Sequence, residues 1–197
     1  MFESAKENNK AEIPIEKLFD DVDVVILGET HHGTHLKEIL SLLERCIGTI
    51  KAVFLEMPID YQTDIDTYTE TGEVTEKLES FFQGAEREGN NIRNLLEMFD
   101  VLKSAGKKVV CIDSSKRQTD QYVQRAKHGY YYLKGKSRDE DMYTVIQDQY
   151  NREPGKYLAI VGAGHIEPGK HHRTGEDTLE SEMQNFSSKY IAVPLRS

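Results

Sequence analysis

Two histidine motifs of the same pattern, Gly-x-x-His, stand near opposite ends of this chain. The first is Gly28-Glu29-Thr30-His31, followed by His32, and the second is Gly162-Ala163-Gly164-His165. An imidazole titrates near neutral pH, so it can serve as a general base, a proton donor or a metal ligand. Because each motif follows an apolar run typical of a buried strand, the sequence predicts two rigidly held imidazoles at one reactive site.

Acidic residues follow two further apolar runs, and an arginine begins a predicted helix. Glu56 comes after the second run and Asp113 after the third, while Glu29 lies within the first histidine motif. Parallel sheets bind ligands at the carboxyl ends of their strands, so titratable residues at four strand ends predict one polar cluster. Arg138 stands in the first turn of a helix, where it could hold a carboxylate or stabilise an oxyanion.

Ordinary structural roles are the alternative for several of these residues. His32 and His35 also suit the N-terminal end of a helix, and Asp113 suits the cap of a turn. The basic run His171-His172-Arg173 is interpreted either as a solvated loop or as a contact with substrate. Asp113 and these three residues are the candidate substrate-binding residues.

The elements that must position these side chains are short strands separated by helices. Apolar runs without polar alternation predict strands that are buried on both faces, at residues 22–27, 52–55, 108–112 and 157–161. A fifth run at 190–195 contains Pro194 and is therefore placed at a sheet edge. Helical spacing predicts helices over 36–47, over 92–102 with a stop at Gly106, and over 137–150.

This alternation predicts an α/β fold with a central, mainly parallel β-sheet flanked by helices, in a single domain over residues 1–197. Two segments interrupt the alternation. Residues 59–91 are acidic and are expected to form one or two extra helices, and residues 115–136 are polar and rich in tyrosine. Both follow strands, so both are interpreted as lid insertions, with a solvated helical insertion as the alternative.

Composition excludes several classes of partner. The net charge of −9 opposes binding to a nucleic-acid backbone. No apolar stretch approaches the roughly 20 residues that a membrane span needs, so we expect no transmembrane segment. No apolar region of a signal peptide is visible, which predicts a cytoplasmic protein, with export as an effector or toxin domain as the alternative. Cys46 and Cys111 fall in apolar segments and are expected to be buried thiols.

At these residues the chain resembles the superfamily that groups the erythromycin esterases, the ChaN-like haem-binding proteins and the TIKI/TraB proteins. The match runs from Leu27, Gly28, Glu29 and His31, through Leu55 and Glu56, to Arg138, Asp139 and Met142, and ends at Gly162, Gly164 and His165. The TIKI-like branch implies metal-dependent peptide hydrolysis, with His31, Glu56 and His165 as ligands. The erythromycin-esterase branch places its general base one residue later, at His32.

Two kinds of function follow from the residues and the resemblance together. As a hydrolase of the esterase or peptidase type, the chain would use His31 or His32 to take a proton from water, with Glu29 or Glu56 orienting the imidazole. Arg138 and His165 would then stabilise the oxyanion of a small-molecule or peptide substrate. In a metal form of the same site, a divalent ion such as Zn, Mn or Fe would activate the water.

The alternative functions are not catalytic. The ChaN-like branch implies haem binding, with a histidine or one of Tyr130–Tyr132 as the axial ligand. An effector or toxin domain of the same fold without activity is the third possibility. The sequence leaves the substrate and the oligomeric state open.

Overall fold

The fold is a five-stranded, wholly parallel β-sheet with helices on both faces. The computed structural model describes residues 15–30, 35–87, 92–115, 138–166 and 177–195. The strands are β1 (Val24–Glu29), β2 (Ala52–Pro58), β3 (Lys108–Asp113), β4 (Tyr157–Gly162) and β5 (Tyr190–Pro194). Their order in the sheet is β3-β2-β4-β1-β5, and every neighbouring pair is parallel. The predicted α/β class and parallel sheet are confirmed, and the strand that contains Pro194 lies at an edge.

The three helices that the apolar spacing predicts are present between the strands, together with the extra helices expected after β2 and two short helices that were not predicted. They are α1 (Ile15–Asp21), α2 (Leu36–Cys46), α3 (Gln62–Thr71), α4 (Glu76–Arg87), α5 (Ile92–Ser104), α6 (Arg138–Arg152) and α7 (Leu179–Met183), with 3-10 turns at Ile59–Tyr61 and Ala163–Ile166. The stop predicted after α5 is present, because Gly106 adopts a left-handed φ of +63° and its N–H donates to the Lys103 carbonyl. None of the described helices has the length and apolarity needed to cross a bilayer.

Alternate side chains of each strand enter two separate cores, which explains why the apolar runs show no polar alternation. In β1, Val25 and Leu27 pack with α2, α3, α4 and α5 on one face of the sheet. Val24 and Ile26 pack on the other face, where Met142 and Ile146 of α6 and Leu179 of α7 complete the core. Both faces are therefore covered, and the carboxyl ends of the strands are the natural place for a site.

The acidic segment after β2 forms helices that belong to the core. Ile65 of α3 and Leu78 of α4 are fully buried. The Gln62 side chain also covers the outer edge of β3, where its amide nitrogen donates to the Val109 carbonyl and its oxygen accepts from the Cys111 N–H, both at 2.8 Å. The expected extra helices are thus present, while the lid interpretation stays a prediction, and residues 116–136 lie outside the described residues.

All but the last strand extend further at their carboxyl ends than the apolar runs indicate, β4 by one residue to Gly162. β1 ends at Glu29, β2 at Pro58 and β3 at Asp113, because backbone pairing continues past the last apolar side chain. The pairing of β2 with β3 shifts register between Leu55 and Pro58, which is a bulge that includes Glu56. Bulges of this kind re-aim side chains next to sites. The acidic residues therefore belong to the rigid strand ends and not to loops beyond them. The thiols of Cys46 and Cys111 are buried, as expected.

Candidate functional site

Three of the predicted site residues meet around one guanidinium at the carboxyl edge of the sheet. Glu56 comes from the end of β2, Arg138 is the first residue of α6, and His165 lies in the 3-10 turn after β4. Arg138 Nη2 donates to Glu56 Oε1 at 2.6 Å, and Arg138 Nη1 lies 3.4 Å from His165 Nε2. Residues that are up to 109 positions apart in sequence thus share one cluster.

Asp113, at the end of β3, holds the same guanidinium in a bidentate pair. Its Oδ1 accepts from Arg138 Nε and its Oδ2 accepts from Arg138 Nη2, each at 2.6 Å. The Asp113 side chain is only 4% exposed, whereas that of Arg138 is 26% exposed. Fork-to-fork pairs of this kind fix both position and orientation. This geometry supports a role for Asp113 in holding Arg138, and the predicted contact of Asp113 with substrate stays a prediction.

Glu56 is tied to the sheet through its second oxygen. Glu56 Oε2 accepts a hydrogen bond from the Gly162 N–H at 2.5 Å, which joins the end of β2 to the end of β4. Burial opposes the charge on this carboxylate, but the charges of His165 and Arg138 outweigh it and hold the Glu56 pKa well below its ordinary value. Glu56 is therefore ionised throughout the physiological pH range.

His165 is held by an acidic residue at each ring nitrogen. Its Nδ1 donates to Asp139 Oδ1 at 2.7 Å, and its Nε2 lies 3.3 Å from Glu56 Oε1. Burial alone would lower the pKa of His165, but the Glu56 charge and the Asp139 hydrogen bond raise it to about 10. The ring is consequently an imidazolium near neutral pH, able to donate protons but not to accept one.

Close packing at Gly28 explains the glycine of the first histidine motif. A Cβ atom at this position would lie 2.6 Å from Ile166 Cγ1, 2.3 Å from Ile166 Cδ1 and 3.1 Å from Ala163 Cα. Ala163 and Ile166 belong to the 3-10 turn that carries His165. A side chain at position 28 would therefore push this turn away from β1, so the glycine allows the second histidine motif to pack against the first.

Glu29 is the last residue of β1 and lies opposite Gly162 of β4 in the sheet. Its Oε2 is buried and has no hydrogen-bond partner among the described residues. Burial, and after it the charge of Glu56, raise the pKa of Glu29 to about 7, against the opposing charge of His35. A carboxyl group that titrates near neutral pH next to a charged cluster is suited to exchange protons.

The remaining predicted site residues cannot be placed. His31, His32, His171, His172, Arg173 and Tyr130–Tyr132 lie outside the described residues. The described chain reaches Thr30 at the edge that also carries the Arg138 cluster. The juxtaposition of His31 or His32 with His165 therefore stays a prediction.

Two residues of this region were not among the predicted site residues. Asp139 is 5% exposed and contacts His165. The sequence signal that could have identified it is its place with Met142 and Ile146 on the buried stripe of α6, because a buried carboxylate needs a partner. His35 is 2% exposed, and its charge acts to lower the pKa of Glu29. Its Nδ1 lies 3.3 Å from Glu38, and its buried Nε2 has no hydrogen-bond partner within the described ranges.

The described donors do not fit a divalent metal ion. Both oxygens of Glu56 accept hydrogen bonds, one of them from Arg138. His165 Nε2, the nitrogen that would face an ion, lies 3.4 Å from the same guanidinium. A cation placed there would be repelled by the Arg138 charge. Among the described residues, no group of three or more His, Cys, Asp or Glu side chains is arranged to hold a metal.

Comparisons with solved structures find the same fold at low sequence identity. The Pasteurella multocida toxin, described as having a thiol-protease-like catalytic triad in its C-terminal region, is 13% identical with a TM-score of 0.63, over 93% of this chain and 24% of that one. ChaN of Campylobacter jejuni, described for cofacial haem binding, is 18% identical with a TM-score of 0.55, over 93% and 84%. The type III effector HopBA1 is 11% identical with a TM-score of 0.58, over 92% and 82%.

These likenesses establish the fold and no particular family. This chain spans 36% of a bacterial protein toxin and 24% of the Pasteurella toxin, the first two structures that it matches. No protein-family model and no curated protein matches the sequence. The function must therefore be argued from the site itself.

Proposed function

We propose that this chain is a hydrolase of the esterase or peptidase type that acts without a metal ion. The observation that carries the proposal is the convergence of Glu56, Arg138 and His165 at the carboxyl ends of the strands, with contacts of 2.6–3.4 Å. Such a cluster offers fixed positive charge where an oxyanion would form, held in place by buried carboxylates.

In the proposed reaction, His31 or His32 is the general base. It takes a proton from water as the water oxygen bonds to the carbonyl carbon, and the carbonyl oxygen acquires the negative charge. Protonated His165 and Nη1 of Arg138 stabilise that charge, since the other donors of the guanidinium are bonded to Asp113 and Glu56. The bond to the leaving group then breaks, and the leaving group receives the proton from the base.

Glu29 is the residue best suited to orient that base. It is two positions before His31, and its buried Oε2 has no hydrogen-bond partner among the described residues. Glu56 was the other candidate for this role, but its oxygens already accept hydrogen bonds from Arg138 and Gly162. An imidazole held by Glu29 would keep one tautomer and one orientation.

A cysteine nucleophile of the kind described for the Pasteurella toxin has no support in this chain. Both cysteines are buried, and burial raises the pKa of the Cys111 thiol to about 12. The thiolate is the reactive form of cysteine, so this thiol is unreactive near neutral pH.

Haem binding is the second candidate function, favoured by the likeness to ChaN over 84% of that chain. The described cluster does not fit haem, because haem needs an apolar slot and the cluster consists of charged side chains. These are Glu56, Asp113, Arg138, Asp139 and His165. A haem site would therefore use residues outside the described ranges. The test is a titration with haemin, in which a Soret band that disappears on replacement of Tyr130–Tyr132 by phenylalanine would support this function.

The hydrolase proposal is tested with generic ester and peptide substrates on the purified chain. We expect replacement of the general base, His31→Ala or His32→Ala, to cost about 10²–10⁴-fold in rate. His165→Gln is expected to cost about 10²–10³-fold, as for the loss of an oxyanion donor. His128→Ala, at a histidine that belongs to neither Gly-x-x-His motif, is the matched control. Full activity in all three site variants would refute the proposal, and loss of activity with a chelator would favour the metal form.

A further inference from the structure

One buried carboxylate oxygen joins the histidine turn to two helices. Asp139 Oδ1 accepts a hydrogen bond from His165 Nδ1 at 2.7 Å and another from the Leu179 N–H at 2.8 Å. The side chain of Asp139 is 6% exposed and that of His165 is 9% exposed. The start of α6, the 3-10 turn after β4 and the start of α7 thus meet at a single atom.

We propose that Asp139 is a positioning residue that fixes the orientation and the positive charge of His165 without touching substrate. This inference rests on the proposed function, in which the imidazolium of His165 stabilises an oxyanion. A carboxylate can only accept hydrogen bonds, so Asp139 requires a proton on Nδ1. The ring then presents Nε2 toward Glu56 and Arg138.

Asp139 is better placed than Glu56 to fix the orientation of the ring, while the charge of Glu56 acts together with Asp139 to raise its pKa. Glu56 Oε1 lies 2.6 Å from Arg138 but 3.3 Å from His165, so its main partner is the guanidinium. The bond from His165 to Asp139 is the shorter of the two, at 2.7 Å, and it is buried. Charged groups face the ring from β2 and α6, namely Glu56, Arg138 and Asp139, while Glu182 of α7 faces Asp139.

Asp139→Asn is the informative variant because it isolates charge from geometry. Oδ1 receives both hydrogen bonds, so the asparagine oxygen can retain both while its amide replaces Oδ2. Asp141→Asn is the matched control: it removes the same charge from the same turn of α6, but Asp141 accepts from the Ser114 hydroxyl at 2.7 Å. The two variants differ in whether the lost charge contacts His165.

The first readout is the titration of the His165 ring followed by NMR of its nitrogens, which needs no substrate. We expect the acid dissociation constant of His165 to rise about tenfold or more in Asp139→Asn, a fall of about one pH unit in its midpoint. Asp141→Asn should leave the midpoint within about 0.3 pH units of the wild-type value. Equal midpoints in the two variants would overturn the proposal. If Asp139→Asn does not fold, the wild-type spectrum decides, because a neutral His165 ring near pH 8 would also overturn it.

The second readout is the pH profile of the hydrolysis. Since His165 must be protonated to act, a lower midpoint moves the alkaline limb of the kcat profile of Asp139→Asn to lower pH, while KM changes little. An unmoved alkaline limb would overturn the proposal. If the NMR midpoint of His165 shifts but the wild-type chain hydrolyses no substrate, the role of Asp139 in charging His165 is supported and only the proposed hydrolase function is refuted. The failure of the hydrolase proposal can therefore be distinguished from the failure of the Asp139 proposal.

Discussion

Arg138→Met removes the cation that contacts both Glu56 and Asp113 while keeping a side chain of similar length. The arginine forms three charge-assisted hydrogen bonds of 2.6 Å to these carboxylates, whose side chains are 11% and 4% exposed. The variant therefore leaves two buried negative charges without their main partner. Breaking one buried ion pair by removal of a partner costs about 3–5 kcal/mol of unfolding free energy.

The lower end of that range applies here. The Arg138 side chain is 26% exposed, so water can approach the abandoned carboxylates, and we expect a loss of about 3 kcal/mol near pH 7. Arg152→Met is the matched control, because Arg152 is exposed at the end of the same helix and, among the described residues, bonds only to the Asp148 carbonyl. The unfolding free energy of Arg152→Met should stay within about 0.5 kcal/mol of the wild-type value.

The pH dependence of this loss follows from the sign of the pKa shifts. In the wild-type chain the pKa of Glu56 is depressed, so its contribution to stability is present above its ordinary pKa of 4.5 and is lost as pH falls below that value. In Arg138→Met the buried carboxylates gain stability by protonation instead. The deficit of the variant should therefore shrink between about pH 7 and pH 4.

Urea unfolding followed by circular dichroism measures these free energies in a chain that contains no tryptophan. The double variant Arg138→Met/Glu56→Gln should recover part of the loss, because it carries one buried charge fewer. A loss below about 1 kcal/mol near pH 7, or a deficit that stays constant down to about pH 4, would refute the charge reasoning.

Two further substitutions test the packing of the site and of the sheet edge by the same unfolding assay. Gly28→Ala should lower the unfolding free energy by about 1–3 kcal/mol, because its Cβ would overlap Ile166. The control Gly84→Ala lies in α4 with open space around it and should raise the unfolding free energy by about 0.5–1 kcal/mol. Equal effects of the two substitutions would contradict the packing argument. Gln62→Ala should lower the unfolding free energy by about 1–3 kcal/mol, because it removes both hydrogen bonds of this side chain to the edge of β3. A comparable loss in the exposed control Gln83→Ala would disprove the role of Gln62 at this edge.

Much of the fold was predictable because its signals are local. Apolar runs without alternation identified the first four strands, and Pro194 placed the fifth at an edge. The strand ends were predicted less well: Glu29 and Asp113 are paired strand residues and Glu56 lies within β2, since backbone pairing with a neighbour does not depend on side-chain polarity. The bulge that contains Glu56 has no sequence signal in the apolar pattern.

The meeting of Glu56 and His165 could be predicted from topology, whereas Arg138 joined the prediction through its place in the first turn of a helix. Parallel strands carry their carboxyl ends to the same edge, so residues at those ends must be neighbours whatever their separation in sequence. The choice of partners within the cluster could not be predicted in this way. Asp113 holds Arg138 in a bidentate pair, which depends on contacts between segments 25 residues apart, and its predicted contact with substrate stays a prediction.

By itself, the sequence determined the parallel sheet and most of the side chains at its carboxyl edge, because hydrophobic periodicity and the residues that end each apolar run involve positions close together in the chain. Only the tertiary structure decided that Asp139 meets His165, that Glu56 stays ionised and that the imidazole carries a positive charge. Those properties depend on burial and on contacts between segments 26 and 82 residues apart, which no local pattern encodes.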